Sequence, residues 1–370
     1  MRFDEGFRRP EGVPRLAQAI REQAGSRTLR FMELCGTHTM AIAKAGLRPL
    51  LAPQERLLSG PGCPVCVTPA GVIDAVLELA ARPGVTLVSY GDLLRVPGSA
   101  RGDTLLRRRA LGADVRVAYS PLEAVEIAAR EPAREVVFLG VGFETTAPGT
   151  AACVLEAAER GLKNFSLLCL LKRTEPALRA LLGAPGFSVD GFLCPGHVAA
   201  ITGGEAFAFL PREYGLPAVV AGFEPADLAA SCALLTKMAL AGTPRLVNTY
   251  TRLVSAEGNG PALAAIGRVF RPVDSEWRGL GLLPESGYAL REPFRPFDAA
   301  ERFGFRPKEH AGPAGCRCGD VIRGACEPRD CPLFGKACTP ADPVGPCMVS
   351  AEGSCAASWK YGDVLPREEE

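Results

Sequence analysis

Nowhere does the 370-residue chain carry the roughly 20 consecutive apolar residues that a membrane-spanning helix needs; the run from Val136 to Phe143 is far too short. A surplus of one charge is missing as well. Lys and Arg total 42 against 41 Asp and Glu, a formal charge of +1, and no long single-sign block exists, so the basic footprint of a nucleic-acid binder is absent. The run Arg107, Arg108, Arg109 reads as a solvated helix face. No GxxxxGK[ST] phosphate loop occurs, which removes the usual support for nucleotide hydrolysis. The first residues, with Arg2, Asp4, Glu5, Arg8 and Arg9, lack the apolar core of an export signal. A cytoplasmic protein with neither a membrane nor a nucleic-acid partner is expected.

Cysteine, by contrast, is plentiful. In a reducing compartment disulfide staples are disfavoured, so 14 cysteines point to metal binding or thiol redox chemistry. Histidine is scarce, with only three in the chain.

The chain is long enough for two or three domains. Short apolar runs at 30–34, 86–90, 115–119, 135–140, 165–170, 191–193 and 218–222 read as strands. Between them, Val72, Ile73, Val76, Leu77 and Ala80, and again Ala151, Val154, Leu155 and Ala158, recur at helical spacing. The alternation defines an α/β chain built on parallel sheets. Two echoes suggest two similar halves: Leu34-Cys35-Gly36-Thr37-His38 against Leu193-Cys194-Pro195-Gly196-His197, and Gly142-Phe143-Glu144 against Gly222-Phe223-Glu224. The expected division is an α/β domain at 1–118, a second at 119–245, a connecting helical or irregular region at 246–310, and a cysteine-rich domain at 311–370. From Glu276 onward the periodicity fades and Pro284, Pro293, Pro296, Pro307 and Pro313 accumulate.

Three constellations carry chemistry. Between Cys316 and Cys355 lie seven cysteines amid many Gly and Pro residues, too apolar-poor for an independent core, so a metal is expected to organise the segment. Cys316, Cys331, Cys338 and Cys355 are separated by fourteen, six and sixteen residues, with Cys318, Cys326 and Cys347 interspersed. Zinc sites usually present two tight ligand pairs, whereas thiolates on irregular loops suit an iron-sulfur cubane.

The second constellation, Gly60-Pro61-Gly62-Cys63-Pro64-Val65-Cys66, holds a CxxC pair close enough for a reversible disulfide. Thr68 and Pro69 are the expected cap and first residue of the helix that follows. As a staple the pair makes little sense, and a lone CxxC can also be half of a zinc site. The third, Cys35-Gly36-Thr37-His38-Thr39, puts a thiol and an imidazole at a strand exit: a nucleophile with its base, two metal donors, or a buried thiol beside a hydrogen-bonded histidine. Cys153, Cys169 and Cys232 lie within apolar patterns and read as small core residues.

Taken in order, CGTHT at 35–39, GPGCPVC at 60–66, GFETTAP at 142–148, PGHV at 195–198, and LFGKACTP with GPCMVSAEGSC in the closing run resemble the HypD family of [NiFe]-hydrogenase maturation factors over essentially the whole chain. The resemblance implies two similar Rossmann-like parallel-sheet domains plus a small irregular iron-sulfur domain. It implies a redox-active assembly scaffold rather than a conventional turnover enzyme. With the partner HypC, such a scaffold holds the iron of the hydrogenase Fe(CN)2CO unit and accepts cyanide from HypE. Cys35 would ligate that iron, with His38 beside it, while Cys316, Cys331, Cys338 and Cys355 would hold a [4Fe-4S] cluster. Cys63 and Cys66 would be the redox pair, or would help bind the iron directly. Cys318 and Cys347 would form a second redox pair, an arrangement similar to ferredoxin-thioredoxin reductase; Cys326 has no role on this reading. A cluster-dependent thiol-disulfide oxidoreductase and a zinc-stabilised interaction protein are the rival readings.

Overall fold

In the computed structural model, residues 12–308, 310 and 312–362 are described, so the charged stretch with Arg2 to Arg9 lies outside them. The strands are β1 (Leu29–Glu33), β2 (Glu55–Ser59), β3 (Val85–Ser89), β4 (Asp114–Val117), β5 (Glu135–Gly142), β6 (Phe165–Leu171), β7 (Gly191–Pro195), β8 (Ala218–Ala221), β9 (Leu246–Asn248), β10 (Phe270–Trp277) and β11 (Gly281–Leu290). One parallel sheet runs β2-β1-β7-β8-β9 and another β4-β3-β5-β6. Each central strand is buried on both faces: β3 is fully covered, and Phe138, Phe165 and Phe192 are among the largest enclosed side chains. That burial explains why these strands read as unbroken apolar runs rather than alternating ones. The α/β architecture with an irregular cysteine-rich end is as expected.

The expected border at 118/119 does not separate the sheets. The chain builds β1 and β2, leaves to form all four strands of the other sheet, then returns to complete the first with β7, β8 and β9. The first α/β unit is therefore discontinuous, and 118/119 falls just after β4, inside the four-stranded unit. Each βα crossover obeys the same local rules whichever sheet it joins, so the periodicity alone contains no marker of the excursion.

The connecting region is more ordered than its proline content suggests. β10 and β11 form an antiparallel hairpin with an irregularity between Val273 and Ser275. Pro272 stands opposite Tyr288 in β11, and Pro284 falls in the stretch of β11 that the irregularity leaves out of the ladder, where no N–H is required of it. Trp277 is buried, stacks on Phe143 at a centroid distance of 5.9 Å, and donates its indole N–H to Ser286 Oγ at 2.9 Å. Those contacts pin the hairpin against the four-stranded sheet.

Candidate metal and thiol site

In both sheets the chain order reverses beside the first-formed strand, and the crevice outside the carboxyl ends at such a reversal is where open α/β sheets bind ligands. In the five-stranded sheet the reversal lies between β1 and β7; in the four-stranded sheet it lies between β3 and β5. Cys35 follows β1 and Pro195-Gly196-His197 closes β7, so the CGTH and CPGH echoes are neighbours on one sheet edge rather than equivalents in two domains. The two GFE echoes do fall on different sheets, after β5 and β8.

Cys35 caps the helix Gly36–Lys44 with extended backbone, which turns the chain sharply from strand to helix. Beneath it lies Glu33, fully enclosed. One carboxylate oxygen of Glu33 accepts the Cys35 N–H at 3.1 Å and the other accepts the Thr39 hydroxyl. Burial holds the Glu33 carboxyl up at about 7, and burial likewise pushes the Cys35 thiol up to about 12, with Glu352 and Glu33 adding to the rise. Cys35 is accordingly a neutral thiol.

His38 is also enclosed. Its Nε2 lies 3.0 Å from the Gly222 carbonyl, an acceptor only, so Nε2 carries the proton and Nδ1 presents a lone pair. Nδ1 is buried with no hydrogen-bond partner among the described residues. Desolvation lowers the imidazole to about 4, which keeps it neutral. Phe223 lies between His38, at 4.6 Å, and the more exposed His197, at 3.8 Å, so the second GFE segment forms one wall of the histidine.

The CxxC loop is laid directly on Cys35. Gly60 N–H donates to Glu33 O at 2.8 Å, and Gly36 N–H donates to Gly62 O at 3.1 Å. A Cβ on Gly62 would come within 2.5 Å of Cys35 Cα, so only glycine allows the two backbones to touch. Cys63 and Cys66 are joined by a disulfide. Cys63 caps the short helix Pro64–Val67, its sulfur accepting the Cys66 N–H at 3.2 Å. Thr68 closes this short helix instead of starting the next one, and Pro69 is the cap of the helix Ala70–Ala80, a correction to the expected register. The helical turn Pro64–Val67, which starts at Cys63 and contains Cys66, ends on Thr68 and accounts for the displacement.

From the other side comes the cysteine-rich segment. Thr37 Oγ1 donates to Glu352 Oε1 at 2.7 Å, and Ser350 Oγ donates to Asp92 Oδ2 at 2.9 Å. A Cβ on Gly36 would come within 2.6 Å of the Glu352 carbonyl oxygen. A cleft of about 670 Å³ opens beside this junction at the reversal of the four-stranded sheet, lined by Val65, Tyr90, Asp92, Tyr119, Thr145 and Glu352, among others. Glu352, Phe223 and Gly62 are therefore parts of the site that the motif reading left without a role. A lone glutamate between two small residues in a cysteine-rich run, Ala351-Glu352-Gly353, was the available signal.

Cys63, Cys66, Cys318, Cys338, Cys347 and Cys355 share one continuous core. Cys347 Sγ donates to Cys355 Sγ at 3.1 Å, and Cys318 also engages Cys347. Burial, then the neighbouring Cys318, Cys331 and Cys338, raise the Cys316 thiol to about 12. Cys355 feels Cys316 and Cys338 in the same way. Cys316 thus lies near Cys331, Cys338 and Cys355, and Cys355 near Cys338, with Cys318 and Cys347 against Cys316 and Cys355. Gly345 fits the sulfurs closely: a Cβ there would come within 2.7 Å of Cys316 Sγ. The Val344 N–H donates to Cys338 Sγ at 3.3 Å. Among the described residues no three His, Cys, Asp or Glu side chains converge on one point. A cubane takes one cysteine per iron, so its sulfurs surround a volume instead of meeting, and the donor set fits that group. Cys326, half-buried beside Arg317 and Asp320, has Cys331 as its thiol neighbour. Cys153 and Cys232 are enclosed core residues; Cys169 is only partly covered.

Fold and site together define a cysteine-rich α/β protein in which Cys35 stands at the carboxyl edge of a parallel sheet with the CxxC loop and the cysteine-rich segment packed beside it. The HypD family model, described as the hydrogenase formation hypA family, matches residues 11–362. The chain is 46% identical over 369 residues to hydrogenase maturation factor HypD of Azotobacter vinelandii, covering 98% of this chain and 97% of that one. It is 44% identical over 368 residues to the HypD of Escherichia coli K12, covering 98% of each, and 44% identical over 383 residues to that of Rhodobacter capsulatus, covering both completely. The chain belongs to the HypD family of hydrogenase maturation factors. No helix among the described residues is long and apolar enough to cross a membrane.

Proposed function

We propose that the chain is the scaffold on which the iron of a hydrogenase Fe(CN)2CO unit is assembled, acting with HypC and receiving cyanide from HypE. The observation that carries this reading is the convergence on Cys35: a thiol at the sheet reversal, with the CxxC loop on one side and the cysteine-rich segment on the other. Low-spin ferrous iron bearing cyanide and carbonyl accepts a soft thiolate donor, so Cys35 is its ligand from this chain. Burial keeps the Cys35 thiol protonated and enclosed, and thiols in that state resist oxidation. Loading the iron releases the thiol proton. His38, fixed by Gly222 and Phe223, offers its free Nδ1 as an acceptor beside the cargo.

Cys316, Cys331, Cys338 and Cys355 would hold a [4Fe-4S] cluster, which supplies single electrons at low potential. Cys63 and Cys66 form the exchangeable disulfide next to the cargo site, and Cys318 with Cys347 makes a second thiol pair in the same core. That shared core also favours a second reading, a cluster-dependent thiol-disulfide oxidoreductase with no second iron.

Cys35→Ala, purified anaerobically with HypC, tests the assignment. The variant should keep cluster absorption and lose the infrared bands of iron-bound cyanide and carbonyl. Bands retained at wild-type intensity would require a different ligand.

A further inference from the structure

The turn of the β10–β11 hairpin reaches between the CxxC loop and the cysteine-rich segment, and no motif accounts for it. Arg278 lies at its tip. Its backbone N–H donates to the Val67 carbonyl at 2.7 Å, and its Nε–H donates to the Thr68 carbonyl at 2.9 Å. These carbonyls end the short helix that carries Cys63 and Cys66. Next door, Gly279 packs on the helix Cys318–Ile322: a Cβ on Gly279 would come within 2.7 Å of Gly319 Cα. Trp277, preceding Arg278, is buried in the core that contains Cys66, Cys318 and Cys347.

The third observation is an absence of pairing. Arg278 Nη2 is buried with no hydrogen-bond partner among the described residues. A desolvated guanidinium donor without an acceptor is costly, and such a cost is recovered when an anion forms beside it.

We propose that Arg278 is a positioning residue for the Cys63–Cys66 pair, a fixed positive charge that favours the reduced, thiolate-bearing form over the disulfide. The inference rests on the reading of Cys63 and Cys66 as a redox pair. In the step, the Sγ–Sγ bond breaks, two electrons enter from a low-potential dithiol or iron-sulfur donor, and one proton is taken up, leaving one thiol and one thiolate. The donor is oxidised.

The test is the redox equilibrium of the full chain, held anaerobically in dithiothreitol redox buffers at pH 7 and read by alkylation of Cys63 and Cys66 with mass spectrometry. Arg278→Gln should shift the equilibrium about tenfold towards the disulfide, which for a two-electron couple is about 30 mV. Arg278→Lys, which keeps the charge, should recover most of that shift. An unchanged equilibrium in Arg278→Gln, or an equal shift in both variants, overturns the proposal. Should Arg278→Gln fail to fold, the wild-type chain decides: one proton taken up per electron pair at pH 7 supports a stabilised thiolate, and two protons contradict it. A wild-type pair that never changes state at any potential refutes the redox reading itself, an outcome distinct from failure of the Arg278 assignment.

Discussion

Replacing Gly36 by alanine sets two effects of opposite sign against each other. Gly36 is the first residue of the helix Gly36–Lys44, where alanine is the better helix former by up to about 1 kcal/mol. Against that, the new Cβ would stand 2.6 Å from the Glu352 carbonyl oxygen, so one backbone must retreat by roughly 1 Å to reach ordinary contact at about 3.5 Å. Retreat stretches the Thr37–Glu352 hydrogen bond of 2.7 Å and the Ser350–Asp92 bond of 2.9 Å. Overpacking costs about 1–3 kcal/mol, and each buried hydrogen bond lost costs a further 1–3 kcal/mol or so. Sterics therefore outweigh propensity, and Gly36→Ala should lose about 2–4 kcal/mol by anaerobic urea denaturation. Because Cys355 lies only three residues past Glu352, cluster absorption should weaken as well. Gly267→Ala is the control: it lies in the helix Gly260–Val269 with open space around it, and should be neutral or slightly stabilising. A Gly36→Ala chain as stable as wild type, with full absorption, would refute the docking of the cysteine-rich segment on the CGTHT helix.

Two further outcomes follow from the enclosed groups. Glu55 is buried against Thr236 and Cys232, and desolvation raises its carboxyl from 4.5 to about 7. Its neutral form stabilises the fold fully below the unfolded value, and that contribution is lost as pH rises through 7, a fall of about 3 kcal/mol. Glu55→Gln should remove this part of the pH dependence in urea melts between pH 5 and 8; an unchanged dependence would show that the carboxylate is stabilised after all. Among the clustered thiols, Cys331→Ala should abolish cluster absorption while Cys326→Ala preserves it, and the opposite pattern would reassign the fourth ligand.

Most sheet strands were legible, the central ones because burial on both faces makes them continuous apolar runs. Two were not. β2 begins with Glu55 and Arg56, and its inward face is satisfied by Thr236, which is distant in sequence; β9 has only three residues. The hairpin was hidden by Pro284 and the prolines that follow it, which read as breakers although Pro284 lies where β11 leaves the ladder. Cysteines announced themselves by chemistry and number, so Cys35, Cys63, Cys66 and the C-terminal set could be named from the chain alone. Their supports could not be: Glu33, Arg278 and Glu352 are ordinary charged residues whose importance arises only when the chain returns to them from another element.

Iron, zinc and acid-labile sulfide analysis of the chain, isolated and kept without oxygen, bears most directly on the claim that these sulfurs gather around iron. About four irons and four sulfides per chain, with further iron when the cargo is loaded, is the result expected of a [4Fe-4S] scaffold. Zinc in place of iron, or no iron at all, would contradict it.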